Sequence, residues 1–167
     1  GIPFRTPSLK GQENVAFTTL WDNYPDSLSI ALKGEASKAY LLVVASTYHM
    51  QSHFLNGTVT VRYKDGSTDV LELILPENLI PLDQDLFIDG AAFSSSEPRP
   101  YRIRLATGDV SVCHAQELGK RMSNNPIYVE GGMATLLDLP LDGSKELDSL
   151  TLKTIANEVV IGLMSVT

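Results

Sequence analysis

The chain has 167 residues, 43% of them hydrophobic, enough to bury one core without metals or disulfides. Its 20 acidic and 13 basic residues leave a net charge of −7, so it lacks the basic face that a nucleic acid or an anionic membrane surface requires. A single cysteine, Cys113, excludes an internal disulfide framework, and no run of about eighteen apolar residues marks a membrane-spanning helix.

In chain order, period-2 patterns dominate. Val15–Leu20, Leu28–Leu32 and Ala39–Ser46 read as strands, and Tyr40-Leu-Leu-Val-Val-Ala45 is apolar on both faces, as a central strand covered on both sides should be. Next comes a hairpin. Thr58–Lys64 places Val59, Val61 and Tyr63 on one face and Thr60, Arg62 and Lys64 on the other. Asp65-Gly66-Ser67 supplies the positive φ of a tight turn, and Thr68–Leu75 returns. Ahead of it, Asn56-Gly57-Thr58 matches a glycosylation acceptor, but Asn-Gly reads as a turn.

Residues 76–100, with four prolines and Ser94-Ser95-Ser96, read as a long loop. Arg102–Leu105 and Val110–His114 flank Thr107-Gly108-Asp109, a second hairpin. Arg102 and Arg104 alternate with Ile103 and read as a solvated strand face. Cys113, beside Val110 and Val112, reads as a small buried apolar residue, and Ala115–Met122 allows one or two helical turns before Asn124-Asn125-Pro126.

Ala134–Leu139, Ser149–Thr154 and Val159–Val166 complete the strands. Leu150 and Leu152 face one way and Thr151 and Lys153 the other. Asn157-Glu158 turns the chain, and Gly162 permits a bulge or a close backbone approach. Short strands separated by turn residues, with less than about a tenth of the chain helical, describe an all-β antiparallel β-sandwich. We expect one domain over residues 1–167, belonging to a longer multidomain parent; the chain begins at Gly1 rather than Met, and no signal peptide precedes the strands.

The chemistry concentrates in Thr19-Leu20-Trp21-Asp22-Asn23-Tyr24-Pro25-Asp26-Ser27, which holds the only tryptophan between two strands. Aromatic faces beside Asn and Asp suit a sugar ring, whose C–H face is apolar and whose hydroxyl rim is polar. The competing reading makes Trp21 a core residue and leaves Asn23 and Asp26 to shape the turn. His49 and His53, four apart, would lie roughly 13 Å from each other in an extended chain, too far to share a zinc, so Tyr48-His49-Met50-Gln51 reads as a polar loop end that packs or contacts a ligand. Asp83-Gln84-Asp85 and Asp89 lack the ordered spacing of a calcium loop and read as solvated carboxylates. No strand alternates carboxylates on an inward face as a sandwich glycanase would, and no nucleophile-elbow, phosphate-loop or dinucleotide pattern occurs.

Five strings resemble a known family: Leu20-Trp-Asp-Asn-Tyr-Pro-Asp-Ser27, Ala45-Ser-Thr-Tyr-His-Met-Gln51, Phe87-Ile-Asp-Gly90, Leu137-Asp-Leu-Pro-Leu141 and Asn157-Glu-Val-Val-Ile-Gly-Leu-Met164. They resemble the C-terminal β-sandwich of a bacterial family of uncharacterised, glycoside-hydrolase-like proteins, with similarity running from about Asn14 to Val166. The resemblance implies a jelly roll of galactose-binding-like type beside a larger helical toroid, and a periplasmic or extracellular glycan-degradation setting. It carries over no catalytic residue.

The expected function is thus a non-catalytic accessory module that binds glycan weakly or docks on a catalytic domain of its parent, with no metal or cofactor. The candidate ligand-binding residues are Trp21, Asn23, Tyr24, Asp26, His49, Gln51 and Asp89. Two alternatives stand beside it. One is a free-standing hydrolase or lyase using a Tyr101, Arg99, Arg102 and Arg104 set. The other is a purely structural module. A glycan-binding module should expose Trp21 or Tyr24; a docking module should bury both and expose a broader apolar patch.

Overall fold

The computed structural model describes residues 1–6, 11, 13–47, 51–84, 95–96, 98–112 and 129–167. Among them lie ten strands: β1 (Ala16–Thr19), β2 (Ser27–Ala31), β3 (Lys38–Ser46), β4 (Leu55–Tyr63), β5 (Thr68–Ile74), β6 (Tyr101–Arg104), β7 (Val110–Val112), β8 (Met133–Pro140), β9 (Leu147–Thr154) and β10 (Val160–Val166). Every ladder is antiparallel, in a six-stranded sheet ordered β1-β10-β3-β8-β6-β7 and a four-stranded sheet ordered β2-β9-β4-β5. No α-helix occurs among the described residues. The fold is all-β, two antiparallel sheets around one apolar core, as in a β-sandwich. Cys113, Ala115–Met122 and Asn124-Asn125-Pro126 lie outside the described residues.

The core follows from strand alternation. Leu41, Val43 and Ala45 of β3, Leu137 and Leu139 of β8, and Ile161 and Leu163 of β10 point inward from the six-stranded sheet. Val59, Val61 and Tyr63 of β4, Leu73 of β5, and Leu150 and Leu152 of β9 meet them from the other. Each such aliphatic side chain contributes roughly 1.5–3 kcal/mol when fully buried. The outer face of the four-stranded sheet carries aligned polar rows, Ser29–Thr151–Thr60 and Ser27–Lys153–Thr58–Glu72. The outer face of the six-stranded sheet does not: Phe17, Leu42, Val44, Leu136, Ile103 and Val110 lie there, so β3 is apolar on both sides, as its sequence requires.

Two sequence expectations are corrected. Asn56-Gly57 is not a turn but the start of β4. Asn56 is fully buried, and its side-chain amide donates to the carbonyls of Gln51 (2.9 Å) and Phe54 (2.8 Å). A Cβ on Gly57 would run into Ile161 Cδ1 and lie 2.7 Å from the Lys153 carbonyl, so glycine is needed for close packing and not for a bend. Gly162 has the same role: its Cβ would stand 2.6 Å from Val15 Cγ1, while the bulge of β10 lies one step on, between Leu163 and Ser165.

The second correction is Arg102, which is 0% exposed. Its partner across the ladder is Thr135, itself buried and paired with Val43, so Arg102 points toward the core side. Its Nη2 donates to the carbonyls of Pro81 (2.9 Å) and Met133 (3.3 Å). The cause is the mismatch in sheet width. β8 lies against β5, leaving β6 and β7 to overhang the four-stranded sheet. Leu79, Ile80 and Pro81, all buried, come from the segment that supplies one of these carbonyls. Arg104 is half-buried on the same side.

Arg102→Ala removes both bonds and leaves a cavity, so unfolding free energy should fall by about 3 kcal/mol or more in urea melts. A change within about 0.5 kcal/mol, ordinary for a surface site, would contradict this placement.

Candidate functional site

β1 and β2 belong to different sheets, and residues 20–26 carry the chain between them at one end of the molecule. The turn is closed twice. Thr19 N–H donates to the Pro25 carbonyl (3.0 Å), and Tyr24 N–H donates to the Trp21 carbonyl (3.3 Å). Asn23, third of the four residues Trp21–Tyr24, has φ +73°, a conformation that Asn tolerates better than most side chains. The turn is also pinned to β9: Thr154 N–H donates to the Asp26 carbonyl (2.9 Å), and the hydroxyls of Thr18 and Thr154 share a buried hydrogen bond of 2.7 Å.

On this frame Trp21 is 52% exposed and Tyr24 53% exposed. The core reading of Trp21 is excluded. Tyr24 packs its ring against Phe17 (centroids 5.3 Å apart, planes at 52°), a tilted contact worth roughly 0.5–1.5 kcal/mol beyond area burial. Phe17 and Leu20, both more than a third exposed, extend the patch. Beside it runs an apolar groove of about 260 Å³ lined by Phe17, Val15, Val44, Val160, Gly162 and Leu82. Phe17 was missed as a site residue, although Val15-Ala-Phe-Thr-Thr19 already puts it on the face opposite Thr18.

The remaining candidates divide. Asn23 and Asp26 are exposed and also build the turn; Asp26 Oδ1 accepts the Ser27 hydroxyl at 3.2 Å. Gln51 is half-buried at the same end of the molecule. β2 and β4 flank β9 and run parallel: Ser27 and Thr58 both pair with Lys153 and stand about 10 Å apart, two strand spacings, with Gln51 ahead of β4 at that end. Asn56 fastens the Gln51 carbonyl there and accepts the N–H groups of Ile155 (2.8 Å) and Ala156 (3.1 Å) on its own carbonyl. His49 and Asp89 lie outside the described residues, as does Asp85. His53 sits in a turn at φ +58° with its N–H on the Leu75 carbonyl, so the extended spacing assumed for the histidine pair does not hold at that residue.

The structure also separates the residues proposed for hydrolysis or elimination. Tyr101 points to the outer face of β6 and is 53% exposed, whereas its neighbour Arg102 points to the core side. No group of three or more His, Cys, Asp or Glu able to hold a metal occurs among the described residues.

The displaced carboxylates lie at the far end of the molecule. The β4–β5 turn and the β8–β9 turn both read Asp-Gly-Ser, and in each the Asp side chain accepts bonds from the Ser N–H and hydroxyl. Lys145 joins the two turns. Its Nζ is 2.9 Å from Ser67 Oγ, 3.2 Å from Asp65 and 3.8 Å from Asp142. The Ser67 hydroxyl and N–H, then Lys145, lower Asp65 to about 2, and the Ser144 hydroxyl and N–H hold Asp142 below its ordinary value. Tyr63 between them is raised, by burial and then by its bond to Asp69. A general acid needs a carboxyl shifted upward, so these two carboxylates are tuned for turn structure and not for proton donation.

No protein-family model, curated protein or solved structure matches the chain.

Because folding lowers the Asp65 pKa below its ordinary 3.8, ionised Asp65 stabilises the fold above about pH 4, and that contribution is lost as the pH falls toward 2. Carboxyl ¹³C NMR should give an Asp65 midpoint of about 2, and Ser67→Ala should raise it more than Lys145→Ala does. A wild-type midpoint at the ordinary aspartate value would contradict the double Asp-Gly-Ser arrangement.

Proposed function

We propose that this chain is a non-catalytic accessory module of a carbohydrate-active protein, a jelly roll of galactose-binding-like type that binds glycan through the Trp21–Tyr24 turn. The observation that carries the reading is the half-exposed state of both rings on a turn locked by backbone bonds. A turn whose backbone is already hydrogen-bonded, with Tyr24 packed on Phe17, loses less conformational freedom on binding a sugar, and Asn23 and Asp26 stand on the same turn to meet its hydroxyls. The five strings that resemble the glycoside-hydrolase-like family support the carbohydrate setting. A hydrolase or lyase reading is weaker, because Tyr101 and Arg102 face opposite sides of β6 and the displaced carboxylates shift away from general-acid values.

A second reading keeps one specific observation, although the burial of Trp21 and Tyr24 that it requires is not met. Val110 (61% exposed), Tyr101 and Phe17 lie on the apolar outer face of the six-stranded sheet, the kind of patch through which a module docks on a catalytic domain of its parent. The two surfaces meet at Phe17, which packs on Tyr24 and also lies on the outer face. A purely structural module would use only the second.

Titration with soluble glycans should give dissociation constants near millimolar, roughly −4 kcal/mol. Trp21→Ala should keep its melting temperature and bind roughly 2- to 13-fold more weakly, the equivalent of 0.5–1.5 kcal/mol of stacking. A variant that melts normally and binds as well as wild type would remove Trp21 from the site. A large loss of stability would instead return it to a packing role.

Incubation with plant and host polysaccharides should release no reducing ends above background. Turnover abolished by mutating one acidic residue would overturn the accessory-module reading.

A further inference from the structure

Distant from the Trp21 turn, the pairing of β8 changes along its length. β6 pairs with Met133–Leu136 and begins at Tyr101, so β8 runs on through Leu137–Pro140 with one edge unpaired by β6. A groove of about 440 Å³ opens at this edge, between β8, Leu71 of β5 with Glu77 and Asn78 beyond it, and residues 98–100. That volume lies within the range of small-ligand sites. Resting on the glycan-binding reading above, we infer that this groove is a second carbohydrate subsite, seating one neutral sugar ring against Tyr101 and Tyr40.

The two tyrosines flank β8 on the outer face. Tyr40 is opposite Asp138, and Tyr101 is opposite Leu136, so their Cα atoms are roughly 12 Å apart, two strand spacings across and two residues along. Leu136 lies between them and forms an apolar floor. Tyr101 leaves half its surface open, and Tyr40 has the Lys38 ammonium 5.6 Å from its ring centre. The rim is polar and fixed. Lys38 Nζ holds Asp138 Oδ2 at 2.7 Å, and Glu77 Oε2 accepts the Ser96 N–H at 2.9 Å. Asn78 takes the Ile74 N–H (2.9 Å) and donates to the Glu72 carbonyl (2.8 Å), which sets the wall that carries Glu77. Each carboxylate retains a second oxygen to accept a sugar hydroxyl, and Lys38 retains two donors. An apolar floor between aromatic rings, with acceptors and donors held at the rim, matches the two-sided chemistry of a pyranose.

A peptide adding as a strand fits less well. The free edge offers only Leu137–Leu139 before Pro140, which cannot donate to a ladder. Neutral sugars are favoured over charged ones because the rim carries charges of both signs.

The test is an amide-detected NMR titration of the whole chain with cellohexaose, xylohexaose and mannohexaose, and with a proline-rich peptide as the rival class. At least one oligosaccharide should shift the amides of Tyr101 and Leu136–Asp138 saturably. Tyr101→Ala, at a half-exposed position and with its fold checked from the dispersion of the same amide spectrum, should weaken those shifts about 2- to 13-fold, while Trp21→Ala leaves them unchanged. Shifts confined to residues 20–26, groove shifts indifferent to Tyr101→Ala, or a response to the peptide alone would overturn the groove and leave the turn standing. A response in the groove but none at residues 20–26 would support the groove and refute the turn as platform. No response anywhere overturns both.

Discussion

The apolar seam between the two sheets is the interaction on which the other features depend. Leu41 and Val43 of β3 meet the layer formed by Val59, Val61, Leu150 and Leu152, and all six are essentially inaccessible. Successive segments mostly cross from one sheet to the other, as β1 to β2, β2 to β3 and β3 to β4 do, so the connections gather at the two ends of the molecule. With the interior filled, chemistry is confined to those ends, to the sheet edges and to the outer faces. At one end the Asp-Gly-Ser turns are bound to each other through Lys145. The Trp21 turn occupies the opposite end.

Unequal sheet width is the second constraint. Six strands over four leave β6 and β7 without a facing layer, and burying a guanidinium there is costly unless it is hydrogen-bonded. The carbonyls of Pro81 and Met133 meet part of that requirement, tying the overhang to the segment after β5. The start of β6 at Tyr101 also ends the cover over β8 and so creates the groove beside Leu136. Adjacent residues of β6 thus differ by alternation: Arg102 turns to the overhung core side and Tyr101 to the open outer face.

Much of this fold was legible in the sequence, for a physical reason. In an antiparallel sheet with one wet face, alternation is imposed residue by residue. Thr58–Lys64 and Ser149–Thr154 showed their inward sets as Val59, Val61, Tyr63 and Leu150, Leu152, all buried in the structure. The errors fall where a distant contact decides. Asn-Gly is a strong local turn signal, but nothing near Gly57 in sequence announces that Ile161 and the Lys153 carbonyl will occupy its Cβ position. Arg102 was read as solvated because charge usually is, whereas its burial depends on which strands overhang. For the candidate site, the aromatic turn was legible as a composition. The exposure of its rings was not, and neither was the supporting position of Phe17.

That exposure has a structural cause within the turn itself. β1 alternates, so Thr18 takes the inward position, and its hydroxyl is bonded to Thr154 across the layers. This buried pair lies at the end of the core beside the start of the turn. The Thr19–Pro25 bond then folds the chain back toward β2, and Tyr24 settles on Phe17 along the outside of the six-stranded sheet. Trp21 is held at the apex between these anchors. Single exposed hydrophobic residues are common on protein surfaces, but Phe17, Leu20, Trp21 and Tyr24 are all exposed on one short, hydrogen-bonded stretch, with Phe17 and Tyr24 in ring contact. A hydroxyl pair in the core thus stands behind an aromatic turn whose backbone is hydrogen-bonded at both ends.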